Sequence, residues 1–185
     1  MLENPAFHVA RKAPPTSFPV TLMEAKSFLG ISNSNEDDLL TSLISMSSEY
    51  AQWYIEQSLS KQTWVLSYAG SSIPNKIYLP FGPIISVIYV KAASDASDFD
   101  IIAAERYLVN NPQSNIVFPA TLGATRMEIA YEAGYTDAKH VPMQIKNGIL
   151  HHVAVSYKRR DAITVEHLTF IKEIYTPFRE VKLVL

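Results

Sequence analysis

Two adjacent histidines, His151 and His152, are the side chains in this sequence that most readily suggest metal binding. On a helix, neighbouring side chains point about 100° apart, so the pair cannot chelate one ion as histidines four residues apart do. The chain has no cysteine, and no matching acidic partner accompanies the pair. The pattern therefore predicts no metal site, but one solvated imidazole and one that is partly buried and hydrogen-bonded.

Three aspartates, Asp95, Asp98 and Asp100, resemble a calcium-binding loop only in composition. The spacing of an EF-hand and the glycine at its sixth position are both missing, which favours a solvated turn. The six glycines of the chain also form none of the phosphate-binding, dinucleotide-binding or nucleophile-elbow motifs. The sequence accordingly predicts no catalytic residue, no metal ligand and no cofactor.

A basic run, Lys158, Arg159 and Arg160, ends a predicted helix, where cations suit the negative end of the helix dipole. One interpretation is a solvated helix end, and the other is the basic lining of a channel that conducts DNA. The net charge of −2 argues against a dedicated nucleic-acid-binding protein. Any contact with DNA is therefore expected to be non-specific and steeply dependent on salt.

The C-terminal segment, residues 166–185, is rich in apolar side chains. Such a terminus should be held in place, either as a short helix in a partner's groove or as a strand added to a sheet edge. Because three predicted helices already supply a complete core, we expect this tail to dock on a partner protein. The expected docking side chains are Leu168, Phe170, Ile171, Ile174, Tyr175, Phe178, Val181 and Leu183.

Three helices are predicted to form a small bundle, over residues 21–29, 35–58 and 142–161. Thr21 and Glu24 have the spacing of a capping box at the start of the first helix. The second helix opens with three acidic residues and is the longest element. The expected common core of the bundle consists of Leu40, Leu43, Tyr50, Tyr54, Ile145, Ile149 and Val153.

Between the second and third helices, residues 62–135 change to a period of two. Trp64, Leu66 and Tyr68 alternate with other side chains, as in a strand with one buried face. The run 84–90 is apolar enough to predict a covered strand. The order of helices, strands and a further helix predicts an α+β fold, a small helical bundle with an antiparallel β-rich insertion.

Residues 1–19 contain four prolines and no periodic pattern, so they are predicted to be an extended arm. One main domain is then expected over residues 20–161, followed by the docking tail over residues 162–185. No stretch is apolar enough to predict a membrane span, and the first residues do not have the pattern of a signal peptide. With no cysteine to form disulfides, the sequence predicts folding in a reducing cytoplasm.

Several segments, taken in order and with their spacing, resemble the phage head-tail connector (adaptor) proteins of the gp6-like family, especially its gp8-like branch. The likeness covers residues 20–161. The segments that carry it are Val20-Thr-Leu-Met-Glu-Ala-Lys-Ser-Phe-Leu29, Asn35-Glu-Asp-Asp-Leu-Leu40, Gln62-Thr-Trp64, Ile77-Tyr-Leu-Pro80, Pro83-Ile-Ile-Ser-Val87, Ile129-Ala-Tyr-Glu-Ala-Gly-Tyr135, and Val141-Pro142 with the helix that runs to Arg160.

The resemblance implies a structural virion protein with no catalytic residues. Copies would form a ring, expected to be a dodecamer, under the portal protein, where they extend the DNA channel and offer a platform to a downstream stopper, neck or tail protein. The implied location is the virion neck, after assembly in the host bacterial cytoplasm, with no membrane contact. The tail would then dock on the portal, and Lys158, Arg159 and Arg160 would contact the DNA in the channel.

Two alternatives stay open from the sequence. One is another ring-forming neck or tail protein, such as a stopper or a tail terminator; those proteins tend to be centred on a β-barrel, whereas this chain opens with capped helices. The other is an enzyme with an unrecognised site, which would need a pocket of converging titratable groups.

Overall fold

The computed structural model describes residues 6–94, 97–159 and 164–179 and divides the chain into two compact units. The β unit comprises residues 1–16 and 61–134, and the helical unit comprises residues 17–60 and 135–185. The α+β fold predicted from the sequence is confirmed, with a β-rich segment inserted into a helical one.

The described residues of the β unit form eight strands in two antiparallel sheets. The strands are β1 (Ala6–Arg11), β2 (Gln62–Ala69), β3 (Lys76–Tyr78), β4 (Ile84–Ala93), β5 (Asp100–Ile101), β6 (Leu108–Asn110), β7 (Asn115–Val117) and β8 (Arg126–Ala133). The larger sheet has the order β1-β2-β8-β4-β5, and the smaller has the order β3-β7-β6. Strand β8 therefore lies at the centre of the larger sheet.

Alternation along β2 builds the core of the β unit. Trp64, Leu66 and Tyr68 are buried, as the period of two predicted. The indole of Trp64 stacks on the ring of Phe81 with their centroids 4.2 Å apart, and Tyr131 on β8 is its cross-strand neighbour. Large aromatic side chains thus fill the space between the two sheets.

Strand β4 corrects the prediction of a covered strand over residues 84–90. Ile84 and Val90 are buried, but Ile88 is 53% exposed. The pairing of β4 with β8 is irregular between Val87 and Tyr89, so Ile88 lies in a bulge that interrupts the regular alternation of side chains. Apolar composition alone could not distinguish a strand covered on both faces from one with an exposed isoleucine.

The N-terminal segment corrects a second prediction. Residues 6–11 are extended, but they form an edge strand paired with β2 rather than a free arm. Phe7 lies opposite Tyr68, with ring centroids 4.7 Å apart, and Val9 packs against the core. A six-residue strand gains a full ladder of hydrogen bonds from the neighbouring β2, which sequence periodicity over so short a stretch does not reveal.

The described residues of the helical unit form four α-helices, α1 (Leu22–Leu29), α2 (Asp37–Ile55), α3 (Met143–Lys158) and α4 (Val165–Tyr175). The capping box predicted at α1 is confirmed: the hydroxyl of Thr21 accepts from the amide of Glu24 at 3.2 Å, and the amide of Thr21 donates to the Glu24 carboxylate at 2.7 Å. Gly30, with φ of +71°, ends the helix in the left-handed conformation that favours glycine.

The other two predicted helices are shorter than expected. Helix α2 begins at Asp37, with Glu36 at the N-cap position; the Glu36 carboxylate does not cap the helix but accepts a hydrogen bond from the hydroxyl of Tyr157. It ends at Ile55, where Glu56 turns left-handed with φ of +62°. Pro142 precedes α3 rather than joining it. Within the described residues, no helix is both long and apolar enough to cross a membrane.

All seven residues predicted for the core of the bundle belong to one hydrophobic cluster, but three of them are less deeply buried than predicted. Leu40, Ile145, Ile149 and Val153 are buried, while Leu43, Tyr50 and Tyr54 are only partly buried against the same cluster. Ile44, 2% exposed, occupies the deep position that the sequence assigned to Leu43. The inward face of α2 is therefore rotated by one residue from the predicted phase.

Helix α4 completes this core, so the prediction of a core without the tail is wrong. Ile171 and Tyr175 are fully buried in the helical cluster. A Cβ atom at Gly148 on α3 would lie 2.3 Å from Cε1 of Tyr175, which shows that the tyrosine ring rests directly on the α3 backbone. Because Gly148 has no side chain, α4 can pack closely on α3, whereas the sequence analysis predicted that this segment docks on a partner protein.

Candidate interaction surfaces

A shallow groove on the helical unit brings together side chains from α1, α3 and α4. Four of its residues, His151, Ala154, Val155 and Lys158, lie on one face of α3 because they are spaced by three, four and seven positions. The remaining lining residues are Phe28, Arg159 and His167. These seven residues are called the α3 groove below. Its floor is apolar, and its rim carries the nitrogen-bearing side chains.

His151 stands between two exposed aromatic rings. Its imidazole meets Phe28 edge-on at 5.2 Å and Phe170 edge-on at 5.6 Å between ring centroids. Phe28 is 44% exposed and Phe170 is 50% exposed. His151 is thus half-buried by aromatic contacts, whereas the sequence predicted that one histidine of the pair would be solvated; the two rings form a surface patch that is open to a partner.

His152 is the buried member of the pair; it lies deeper than the partly buried histidine that the sequence predicted, and its expected hydrogen bonding is incomplete. The residue is 3% exposed and packs edge-on against Tyr50 at 4.9 Å. Its Nδ1 atom has no hydrogen-bond partner among the described residues. Burial lowers the pKa of His152, because the apolar surroundings disfavour the charged imidazolium.

The basic run lies at the end of the groove. Lys158 and Arg159 are exposed, and neither forms an ion pair within the part of the chain that the structure describes. The imidazole of His167 is held nearby by its Nδ1 atom, 2.8 Å from the hydroxyl of Thr164 at the start of α4. Arg160 lies outside the described residues. Lys158 and Arg159 therefore present two cations that have no carboxylate partner among the described residues.

The structure separates the predicted docking residues of the tail into three groups. Ile171 and Tyr175 belong to the protein's own core, which removes them from any docking surface. Leu168, Ile174 and Phe178 are half-buried, and Phe170 is exposed. Val181 and Leu183 lie outside the described residues. Val165 is a further exposed apolar residue at the start of α4, 78% exposed, that the sequence analysis did not include among the docking side chains.

A second exposed surface lies at the edge of the larger sheet in the β unit. Residues 98–101, called the acidic edge below, present Asp98, Phe99, Asp100 and Ile101 to solvent. Asp100 and Ile101 form β5, which pairs with β4. The guanidinium of Arg126 lies over the Phe99 ring at 5.0 Å and supports it from one side. The alternation of acidic and apolar side chains is the signal that marks this segment in the sequence.

No metal site emerges among the described residues, where no three histidine, aspartate or glutamate side chains converge. Asp95, one of the three aspartates weighed as a calcium loop, lies outside the described residues. Asp98 and Asp100 lie on the exposed edge. The predicted solvated turn therefore includes a short strand.

The family model of phage gp6-like head-tail connector proteins matches residues 19–97 of this chain. The matched residues include α1, α2 and strands β2 to β4. No curated protein matches the sequence.

Solved structures contain chains with the same fold. A chain in the neck of an empty gene transfer agent (GTA) particle, computed with C6 symmetry, has a TM-score of 0.77 and 16% identity over 96% of this chain and 97% of that chain. A chain in the virion of a native GTA particle has a TM-score of 0.75 and 17% identity over 95% and 97%, respectively. A chain in the neck of a native GTA particle, computed with C12 symmetry, has a TM-score of 0.72 and 17% identity over 97% of each chain. Residues 19–97 thus carry the sequence pattern of the phage gp6-like head-tail connectors, and the resemblance drawn from the sequence is confirmed.

Proposed function

We propose that this protein is a structural, non-enzymatic component of a virion neck, a head-to-tail connector that forms a ring under the portal. The observation that carries the proposal is the match of residues 19–97 to the gp6-like head-tail connectors. The fold shared with chains from GTA necks computed with C6 and C12 symmetry supports it. A ring of twelve copies would agree with both symmetries.

A ring of this kind needs two different surfaces on each copy. A cyclic assembly larger than a dimer is built from heterologous contacts, in which one patch of a copy meets another patch of the next copy. The ring would extend the DNA channel of the portal and give a downstream stopper, neck or tail protein its platform. Exposed apolar side chains on both units, such as Ile88 and Phe170, provide surface for such contacts.

The portal is the proposed partner of the tail. With Ile171 and Tyr175 in the protein's own core, the docking surface reduces to Leu168, Phe170 and the segment after Arg179, which includes Val181 and Leu183. Ile174 and Phe178 contribute only the parts of their side chains that the helical core leaves open. The test of docking is therefore deletion of residues 180–185 only, because a larger truncation would also remove α4 from the protein's own core.

The basic run has two roles to be distinguished within the ring. Lys158, Arg159 and Arg160 could contact the phosphates of DNA in the channel, non-specifically and with strong dependence on salt. Replacing all three with glutamine would then slow DNA packaging or ejection and spare ring assembly. The apolar side chains beside Lys158 and Arg159 in the α3 groove support a different role for these two residues, in contact with another protein chain.

The proposed function is tested by producing the protein together with the portal protein of the same particle and imaging the complex by electron microscopy. We expect a closed ring coaxial with the portal, twelve copies by native mass spectrometry, and loss of portal binding on deletion of residues 180–185. Deletion of residues 1–5 is a matched terminal control. Isologous dimers in place of a ring would overturn the proposal.

A further inference from the structure

We infer that the acidic edge of one copy docks in the α3 groove of the next copy, and that this contact is one of the heterologous contacts that close the ring. The inference rests on the proposed ring function and names the two surfaces that meet. Both surfaces are open to solvent in the single chain. They differ in kind, as a head-to-tail contact requires.

The charges of the two surfaces are complementary. Lys158 and Arg159 on the groove rim lack a carboxylate partner, and Asp98 and Asp100 lack a cationic partner, within the described residues. The seven residues that line the groove include no acid. Pairing two aspartates with these two cations would satisfy four exposed charges at once and would fix the register of the contact.

The apolar parts are complementary as well. Phe99 is 41% exposed and Ile101 is 73% exposed, and both alternate with the aspartates along the edge. The groove floor offers Ala154 and Val155, flanked by the exposed ring of Phe28. Protein–protein interfaces commonly have an apolar centre within a polar or charged rim. A DNA-binding surface instead contacts mainly the phosphates of the DNA.

The two surfaces also match in length. The three steps of extended chain from Asp98 to Ile101 span about 10 Å at 3.3 Å per residue. The groove follows α3 from His151 to Arg159, eight steps that span about 12 Å at 1.5 Å per residue. An extended edge of this length fits within the length of the groove.

Engineered cysteines test the contact directly, because the chain has no cysteine of its own. Ile101→Cys and Ala154→Cys in one chain should give a ladder of covalent oligomers on oxidation of the portal-bound protein. The matched control is Leu108→Cys with Ala154→Cys, since Leu108 is 64% exposed on the same unit but lies outside the acidic edge. A ladder of equal strength in the control, or no ladder in the test pair, overturns the inference.

Charge reversal provides the second test. Lys158→Glu with Arg159→Glu, and separately Asp98→Lys with Asp100→Lys, should each reduce the yield of closed rings at least tenfold, and the four changes combined should restore rings. Lys172→Glu, an exposed change on α4, is the control. If the glutamate variants assemble normally but no longer retain DNA, the two cations line the channel and the inference fails. If the unaltered protein forms no ring, the proposed function fails instead.

Discussion

The two units of this protein differ in how many polar side chains they bury. The β unit buries large apolar and aromatic side chains, among them Trp64, Tyr131 and Phe118, together with the polar residues Gln62, Ser114 and Asn115. The helical unit mixes its apolar core with buried polar and charged residues and with one glycine at a contact. Those residues are Ser47, Ser48, Gln52, Ser58, Ser60, Lys146, Gly148, His152 and Ser156.

This difference follows from geometry. Alternation along a strand sends every second side chain into the space between sheets, which large side chains fill. Helices that pack closely need small side chains at their contacts, and serine or glycine meets that need at the cost of polar groups that require partners. The hydroxyls of Ser47, Ser156 and Tyr175 and the Nδ1 of His152 find none within the described residues. We therefore expect the stability of the β unit to depend on the volume of its buried side chains. The stability of the helical unit should depend on close helix packing, on charge pairing and on pH.

The largest effect is expected at the buried tryptophan. Trp64→Ala should lower the free energy of unfolding by about 3–5 kcal/mol, because it removes a fully buried indole from the β core. Trp53, the other tryptophan, is 51% exposed and is the control; Trp53→Ala should cost roughly 0.5 kcal/mol or less. Urea denaturation followed by circular dichroism measures both. Equal losses at the two sites would contradict the packing of the β core.

The tail helix should behave as core at one residue and as surface at the next. Ile171→Ala should cost about 2–5 kcal/mol, since Ile171 is fully buried, whereas Phe170→Ala should cost less than about 1 kcal/mol. Thermal and urea unfolding of the isolated protein distinguish the two. A larger loss for Phe170 than for Ile171 would mean that α4 is docked with a different face.

Gly148 tests close fit in the helical unit. Gly148→Ala should lower stability by a net amount of about 1–2 kcal/mol, because the new Cβ meets the Tyr175 ring and the clash exceeds the gain in helix propensity. The adjacent exposed change Asn147→Ala should be neutral or stabilising. In a Tyr175→Ala background most of the cost of Gly148→Ala should disappear, and only the crowding by Ile174 Cγ2, 3.1 Å from the new Cβ, should remain. An undiminished cost there would show that the tyrosine ring is not what the glycine accommodates.

The pair of Lys146 and Glu24 tests charge pairing. Their side chains are 2.5 Å apart, and Lys146 is almost buried while Glu24 is 39% exposed. Burial raises the pKa of Glu24, but hydrogen bonds from Lys146 and Thr21 outweigh it and hold the pKa below its ordinary value. Glu24→Gln keeps a capping side chain and leaves the ammonium unpaired, so it should cost about 1 kcal/mol, an amount typical of partly exposed pairs.

Replacing the cation should have a smaller effect than replacing its partner. Lys146→Met removes the buried charge and keeps the volume, which is expected to be near neutral. The stability from Glu24 is present above its unfolded pKa and is lost as the pH falls through its lower folded pKa. Acid titration of unfolding should show this loss in the unaltered protein and a reduced loss in Glu24→Gln. A greater loss for Lys146→Met than for Glu24→Gln would contradict the pairing.

The smallest effect is expected from His152. Its folded pKa lies below the ordinary value of 6.5, so the unfolded chain binds more protons between the two pKa values. The contribution of the neutral His152 to stability should therefore be fully present above about pH 6.5 and should decline as the pH falls below that value. His152→Gln should flatten that slope. Melts at pH 7.5, 6.5 and 5.5 measure the slopes, and an unchanged slope in His152→Gln would show that another group titrates.

Local patterns in the sequence were enough to predict the elements that depend on neighbouring residues. The capping box of Thr21 and Glu24 closes within one helical turn, and the alternation of Trp64, Leu66 and Tyr68 lies within one strand. The order of helices and strands followed from such patterns. The family resemblance could be drawn from the sequence for the same reason, since its motifs are short and local.

Only the tertiary structure decided what these elements pack against. Tyr175 rests on Gly148, 27 positions earlier, and this contact places α4 in the core instead of on a partner. The α3 groove likewise joins Phe28 to Lys158 and His167 from three different helices. Such contacts depend on the shapes of surfaces that are distant in sequence. No periodicity encodes them, because a glycine or an exposed phenylalanine looks the same in the sequence whatever lies against it.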